Sequence, residues 1–509
     1  MSFVRWRTAA LCLSTAFWAS SVRAEAAGGV HTDTFQYTSQ ESKHYVRAAL
    51  EELGILGLGT LHYYGNRDAN SVDWDLDYDW PSFRQKLDGR AYAFDTNHFE
   101  TNFLSHPAAG TLYYLAARGN RLSPFAALGY ATASSTVWEF FGEFRERVSV
   151  NDMIVTPLSG FIFGEALTQL GSFFDRGCAT GGNRALGSLF GFSKSFHDAL
   201  DGAALNREQS CDSHGFARTG RHDFTLRVGP STVWQLQGQR KPYVEAQERL
   251  SLSVENLPTL GVPGRHIRGF ADGNLAQLDA VLAAGHLGWT DLQIGASVVP
   301  VGFHYRNIPW AVSDIASGEE AIFGAYFGVL YSAHVYDRSA EAVDQVFVLD
   351  APAATLRYRL HRGPRLLEFA LDAGGSFAGV EAFALEAYTQ TMPKETLTTI
   401  AGARGYNYAL GAMLAPRVRL HTVVFDFSVA AKAHRYFALR ALDRVHTTPS
   451  KASTVEGERE VSTRFDFHPP SLPVAFYAQL EARQRLGAIE SVRNSRSELA
   501  LGAGIAGAL

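Results

Sequence analysis

From about residue 222 to the end of the chain, apolar side chains recur at every second position, the repeat of a strand with one apolar and one polar face. In one run Val423, Phe425, Phe427, Val429, Ala431 and Ala433 point one way, and Asp426, Ser428, Lys432 and His434 the other. A second alternates Phe476, Ala478, Leu480 and Ala482 with Tyr477, Gln479, Glu481 and Arg483. A third sets Phe323, Ala325, Phe327, Val329, Tyr331, Ala333 and Val335 against Gly324, Gly328, Ser332 and His334. Leu356, Tyr358 and Leu360 lead through His361-Arg362-Gly363-Pro364 into Leu367, Phe369 and Leu371, a hairpin. Shorter runs surround Val244–Val254, Leu278–Leu282, Leu292–Val298 and Tyr408–Leu414, which predicts about twelve strands.

The clean runs reach ten residues or more, enough for a tilted membrane crossing and longer than the usual sandwich strand. Their polar face carries full charges such as Lys432 and Arg483, which a wet lumen tolerates and a dry core does not. The chain ends on an apolar stripe, Leu499, Leu501, Ala503, Ile505, Gly507 and Leu509, as a closing strand would. Outer-membrane chains usually end on Phe, and this one ends on Leu. An antiparallel transmembrane β-barrel over 222–509 is the expectation, with a secreted β-sandwich as the alternative.

Residues 43–202 follow the helical repeat instead, with a linker over 203–221. His44 to Leu61 has helical spacing, and the acidic, aromatic stretch Asp73 to Trp80 reads as a loop or short strand. Pro107 after His106, Ser123-Pro124, and Ser149 with Asp152 three residues on mark helix starts, predicting helices to about Arg118, Arg145 and Leu170. Gly160 and Gly164 allow another helix to approach closely, and Glu165 stops that apolar run short of a bilayer's width. The expected class is therefore α+β multidomain, a helical domain followed by the barrel.

Composition adds an address. Arg5 and Arg7 precede an apolar run from Thr8 to Ala19, and Val22-Arg23-Ala24 suits cleavage after Ala24. Residues 1–24 are thus expected to be a secretory signal and 25–42 a linker, placing the mature chain in the bacterial outer membrane. Two cysteines then remain, Cys178 and Cys211, whose simplest state in an oxidising compartment is a disulfide. With 46 basic and 51 acidic residues there is no electrostatic footprint for nucleic acid. The expected partners are outer-membrane lipid and, during biogenesis, the barrel-assembly machinery.

The helical region resembles a bacterial family known as domain of unknown function 3943, over roughly Trp74 to Gly202. The resemblance rests on Phe94-Asp95-Thr96-Asn97, Asn102, Ser105-His106-Pro107-Ala108-Ala109-Gly110, Tyr113-Tyr114 and Ala117-Arg118. It continues through Ser135, Trp138-Glu139, Glu143, Glu146, Ser149-Val150-Asn151-Asp152, Thr156-Pro157, Gly160 and Gly164-Glu165. It implies an envelope protein and supplies no activity.

The candidate catalytic residues are His98, His106, Glu139 and Glu143, a histidine serving as base and a carboxylate orienting it. Glu139 and Glu143 share a helix face one turn apart. Arg118, Asn151, Asp152, Glu165 and Asn102 are expected to form a polar network with them, Arg118 or Arg145 pairing with the glutamates. The set also suits a divalent metal through nitrogen and oxygen donors. No His-Glu-x-x-His, Gly-x-Ser-x-Gly or phosphate loop is present, so neither metal nor cofactor is the expectation. A structural or transport role is the leading reading, the helices lying in the periplasm or filling the lumen. An envelope enzyme acting on lipid or glycan is the alternative.

Overall fold

The computed structural model describes residues 42–66, 74–207, 211–237, 241–260, 262–286, 288–309, 317–337, 342–392, 399–439 and 452–508. The expected signal segment, nearly all of the linker after it, and Leu509 lie outside the described residues.

Thirteen strands follow the helical region: β1 (Arg221–Gln235), β2 (Tyr243–Glu255), β3 (Gly264–Phe270), β4 (Leu275–Gly285), β5 (Gly288–Ile308), β6 (Ser317–Asp337) and β7 (Ala342–Arg362), then β8 (Arg365–Glu381), β9 (Tyr406–His421), β10 (Phe425–Ala438), β11 (Thr454–Phe467), β12 (Val474–Ile489) and β13 (Val492–Ala508). All pair antiparallel. The ring closes where β13 meets β1, and β3 and β4 share one edge of β5, so thirteen strands fill twelve ring positions. The strand order removes every free edge except that of β3. Pairing shifts register next to Pro300 in β5 and Pro352 in β7, where a residue without an N–H cannot hold the ladder.

Ion pairs identify the inner face. Arg483 on β12 reaches Asp291 on β5 at 2.6 Å, His334 on β6 reaches Glu498 on β13 at 2.8 Å, and Arg485 on β12 reaches Asp344 on β7 at 2.9 Å. Each pair joins strands five ring positions apart, a contact that only the lumen permits. Arg359 to Glu255 and Arg227 to Asp466 cross it at other heights. At one end Phe383, in the segment between β8 and β9, lies over the Arg485 guanidinium at 5.1 Å. Arg485 is 1% exposed, so its charge is tolerated only because Asp344 and Glu456 surround it.

The opposite face points outward and is apolar. Over β10 to β13, and around Phe369 on β8 and Leu414 on β9, it is bare, with those two residues and Phe427, Phe465, Phe476, Leu480, Leu501 and Ile505 exposed. On the other flank one band of it is covered, while Phe303, Phe323 and Leu356 beyond that band stay exposed. Phe224, Leu252, Leu278, Ala296, Val329, Leu349 and Phe377 sit directly opposite one another on successive strands, forming one row across the outer wall. The helical region packs on this row. Its rings contact the wall pair by pair: Phe173 and Phe174 on Phe224 at 5.4 Å, Phe161 on Phe327 at 5.3 Å, Phe103 on Phe347 at 5.0 Å, and Phe94 on Tyr408 at 4.8 Å. The helices therefore do not fill the lumen, the placement allowed for them from sequence; side chains of the strands fill it.

The helical region comprises α1 (Tyr45–Asn66), α2 (Trp80–Leu87), α3 (His106–Gly119), α4 (Pro124–Val137), α5 (Asp152–Arg176), α6 (Gly181–Phe190) and α7 (Phe192–Asp201). Ser123 Oγ caps α4 by accepting from Ala126 N, and Asp79 caps α2, so the acidic stretch ends in a helix start. α3 and α5 cross where a Cβ on Gly160 would lie 2.3 Å from Gly110 carbonyl atoms, which only glycine permits. The helix expected to reach Arg145 stops at Val137 and gives way to a π-turn, Trp138–Gly142. α5 runs to Arg176, past the expected Leu170. Beyond it, Cys178 and Cys211 form a disulfide, their Cα atoms 6.1 Å apart, tying α5's end to the segment that enters β1.

Candidate functional site

A two-residue parallel bridge, Tyr92–Ala93 with Val148–Ser149, draws two distant segments together beneath α3. Asp95 N donates to Asn151 Oδ1 at 2.8 Å. Asn151 Nδ2 donates to Asp152 Oδ1 at 2.8 Å, and Asp152 N donates to Ser149 Oγ at 3.3 Å, as expected of a capping serine. Ser149 N in turn donates to Glu139 Oε2 at 2.7 Å.

Two π-turns frame the group. Thr101–Ser105 runs directly into α3 and carries Asn102, with His106 as the first residue of α3. Trp138–Gly142 carries Glu139 and places Glu143 just beyond it. Such single wide turns reorient side chains and recur at functional sites. His106 Nε2 lies 3.6 Å from Asp152 Oδ2, beyond hydrogen-bond reach. One ligand atom each from Asp95, His106 and Asp152 lies within 4.8 Å of the other two. His106 Nε2 and Glu139 Oε1 have no hydrogen-bond partner among the described residues. Lys86 Nζ donates to the carbonyls of Glu139 and Glu143 at 2.6 and 2.8 Å.

Burial pushes the Glu139 carboxyl well up, and the charges of Glu143, Asp152 and Asp95 add to it. Burial likewise pushes Glu143 up to about 8, helped by Glu146, Asp95 and Asp152 and opposed by His106. The centre thus holds two glutamates whose carboxyls are pushed up, Glu143 to about 8, beside a histidine and two aspartates. Such a set can accept and return a proton or hold a cation.

The structure brings His106, Glu139, Glu143, Asn151 and Asp152 together and leaves the rest elsewhere. His98 is exposed at the start of its turn. Arg118 pairs with Glu165 at 2.8 Å, not with Glu139 or Glu143, and Tyr114 and Gln169 complete that second network. Arg145 lies over the Trp74 ring at 4.4 Å. Asn102 Nδ2 donates to Tyr406 and Tyr408 on the barrel wall at 2.9 and 2.7 Å. Sequence reasoning did not place Asp95 or Lys86 in the centre, nor the two wall tyrosines beside it. For Asp95 the signal lay in the string Phe94-Asp95-Thr96-Asn97; for the tyrosines, some three hundred residues away, there was none.

The fold and this centre define an outer-membrane-type β-barrel that bears a helical domain on its flank. Residues 91–193 match the family model described as Domain of unknown function (DUF3943). No curated protein matches. Among solved structures the chain is similar to the NanC porin, at 10% identity over 55% of this chain and 98% of that one, with a TM-score of 0.25. It is also similar to OmpT, an outer membrane protein of Vibrio cholerae, at 8% identity over 58% and 99%, with a TM-score of 0.20. The beta domain of the Bordetella autotransporter BrkA matches at 11% identity over 56% and 98%, with a TM-score of 0.20.

Proposed function

We propose that this chain is an outer-membrane protein whose barrel is an anchor and whose chemistry lies in the helical domain on its lipid-facing flank. Its substrate class is an amphiphile of the envelope, a lipid or a lipid-linked glycan. One observation carries the reading: the His106–Asp152–Glu139 centre sits in helices packed on the apolar outer wall, while charged side chains join across the lumen. A lipid diffusing in the bilayer plane meets that flank, whereas a solute in the lumen meets Arg483 and Asp291 already joined. His106 keeps 15% side-chain exposure and Glu143 is also half-buried, so these two are the groups in the centre open to a substrate. Glu143, its carboxyl pushed up to about 8 by burial, serves as the base, and His106 with Asp152 holds the substrate's polar group. Insertion by the barrel-assembly machinery belongs to the same reading.

A purely structural network is the second reading, favoured by the bonds through which Ser149 and Asn151 fix the start of α5. Envelope lipid extracted from cells carrying H106A separates the two. The enzyme reading expects an altered lipid profile with the protein still in the membrane fraction and still heat-modifiable on gels. An unchanged profile with the protein intact leaves the structural reading. Planar-bilayer recordings of the wild type are expected to show no steady conductance; an ohmic pore would return the transport role.

A further inference from the structure

From the geometry of the same centre, we infer that Asp95, His106 and Asp152 bind one divalent metal ion of the Zn2+ or Mn2+ type, with Glu139 as a fourth donor. This rests on the centre being a working site and not only a cap for α5.

A tetrahedral ion with bonds of about 2.1 Å needs donors about 3.4 Å apart. His106 Nε2 and Asp152 Oδ2 already stand 3.6 Å apart, and one ligand atom each from Asp95, His106 and Asp152 lies within 4.8 Å of the other two. Binding must close up to about 1.4 Å of excess, which takes rotation of the Asp95 carboxyl away from Asn97. The donor set is one imidazole nitrogen with carboxylate oxygens, which suits borderline and moderately hard dications over soft ones.

A second observation is independent of that trio. Glu139 is 1% exposed and keeps Oε1 without a hydrogen-bond partner, an expensive arrangement for a buried carboxylate that nothing completes. Its other oxygen is held by Ser149 N, two residues before the Asn151 that grips Asp152, and the charges of Asp152 and Asp95 act on its carboxyl, so it stands beside the trio as a donor that a side-chain shift would bring in. The outer ring is that of a metal site. Asn151 Nδ2 donates to Asp152 Oδ1 while Asp152 Oδ2 faces His106 Nε2, and Asn97 donates to both Asp95 oxygens, through N to Oδ1 at 3.1 Å and through Nδ2 to Oδ2. A dication would balance Asp95, Glu139 and Asp152, which meet around one histidine.

The test uses the full chain, disulfide intact, in detergent micelles, stripped with EDTA and titrated separately with Zn2+, Mn2+ and Ca2+ alone. One equivalent of Zn2+ or Mn2+ is expected, bound at least tenfold more weakly by H106Q and by D152N, and less weakened in E139Q. Co2+ in the wild type should give visible absorption bands that H106Q loses. No saturable binding at one equivalent, or unchanged affinity in H106Q, overturns the inference. Should a variant lose its heat-modifiable mobility, the wild-type Co2+ spectrum decides alone, and its absence is equally fatal. Stoichiometric metal with an unchanged lipid profile in H106A would keep the metal site and remove the lipid-directed role. An altered profile without metal binding would do the reverse.

Discussion

Glu52 on α1 accepts from Ser134 Oγ at 2.7 Å through one carboxyl oxygen, while the other has no hydrogen-bond partner among the described residues. Burial pushes its carboxyl up to about 8, with the Glu51 charge adding and the Ser134 bond opposing. A carboxyl raised in the folded state stabilises it fully below the unfolded pKa of about 4.5. That contribution falls as pH climbs through the window to about 8. The protection factors of α1 amides, exchange rates corrected for the intrinsic base-catalysed rate, should therefore fall from pH 5 to pH 8, by at most about tenfold per pH unit for one proton. E52Q should flatten this dependence and protect α1 better than the wild type at pH 8; an unaltered slope would refute the assignment. At this scale the sequence was partly readable. His106 and Asp152 are polar residues at helix starts and Glu139 one at a helix end, all in an otherwise apolar region, and such residues need partners. Their true partners were not readable. Arg118 chose Glu165 because α3 and α5 cross at Gly110 and Gly160, and a crossing depends on tertiary packing that no local spacing encodes.

Strand alternation was the most legible feature because its period is fixed by backbone geometry and each face has one solvent. On β6 the odd positions from Phe323 to Ala333 do all face outward. Legibility fails at the next step, since Phe323 is exposed and Val329 is covered although both obey the same pattern. An apolar face does not say whether its neighbour is lipid or a helix. The Trp138–Gly142 turn escaped for a related reason: α4's sequence continues helical, and the bond from Ser149 N to Glu139 helps hold the wider turn. The wall contact itself can be tested at Gly379. A Cβ there would stand 2.0 Å from the Phe103 ring, so G379L must push the Thr101–Ser105 turn off β8. Overpacking of this kind costs about 1–3 kcal/mol. Limited proteolysis should then cut the 91–120 region faster while the barrel keeps its heat-modifiable mobility. Unchanged proteolysis would place the helices elsewhere.

Across the whole molecule, hydrophobic burial alone does not fasten the domain to the barrel if both face lipid, because lipid tails satisfy apolar surface as well as Phe347 does. The fastening is then polar and steric. Asn102 bonds the wall tyrosines, Gln169 Nε2 donates to the Asp272 carbonyl at 2.8 Å, and Arg404 Nε donates to the Thr96 carbonyl at 2.6 Å. The lumen has its own logic: removing one partner of a buried pair costs about 3–5 kcal/mol, while removing both costs far less. The double variant D291N/R483Q should accordingly fold and show conductance that the wild type lacks. Continued silence in the bilayer would mean that other crossing pairs, such as His334 with Glu498, suffice as the seal.

The row from Phe224 to Phe377 also constrains the order of assembly. The ribosome delivers the helices first, yet the wall on which Phe103, Phe161 and Phe173 come to rest exists only after β1 to β8 have been made and paired. Until then a nascent aromatic face must be shielded by something other than its final bed. The domain and the barrel are therefore obliged to mature as one object, and a chain truncated before β8 should be a substrate for quality control.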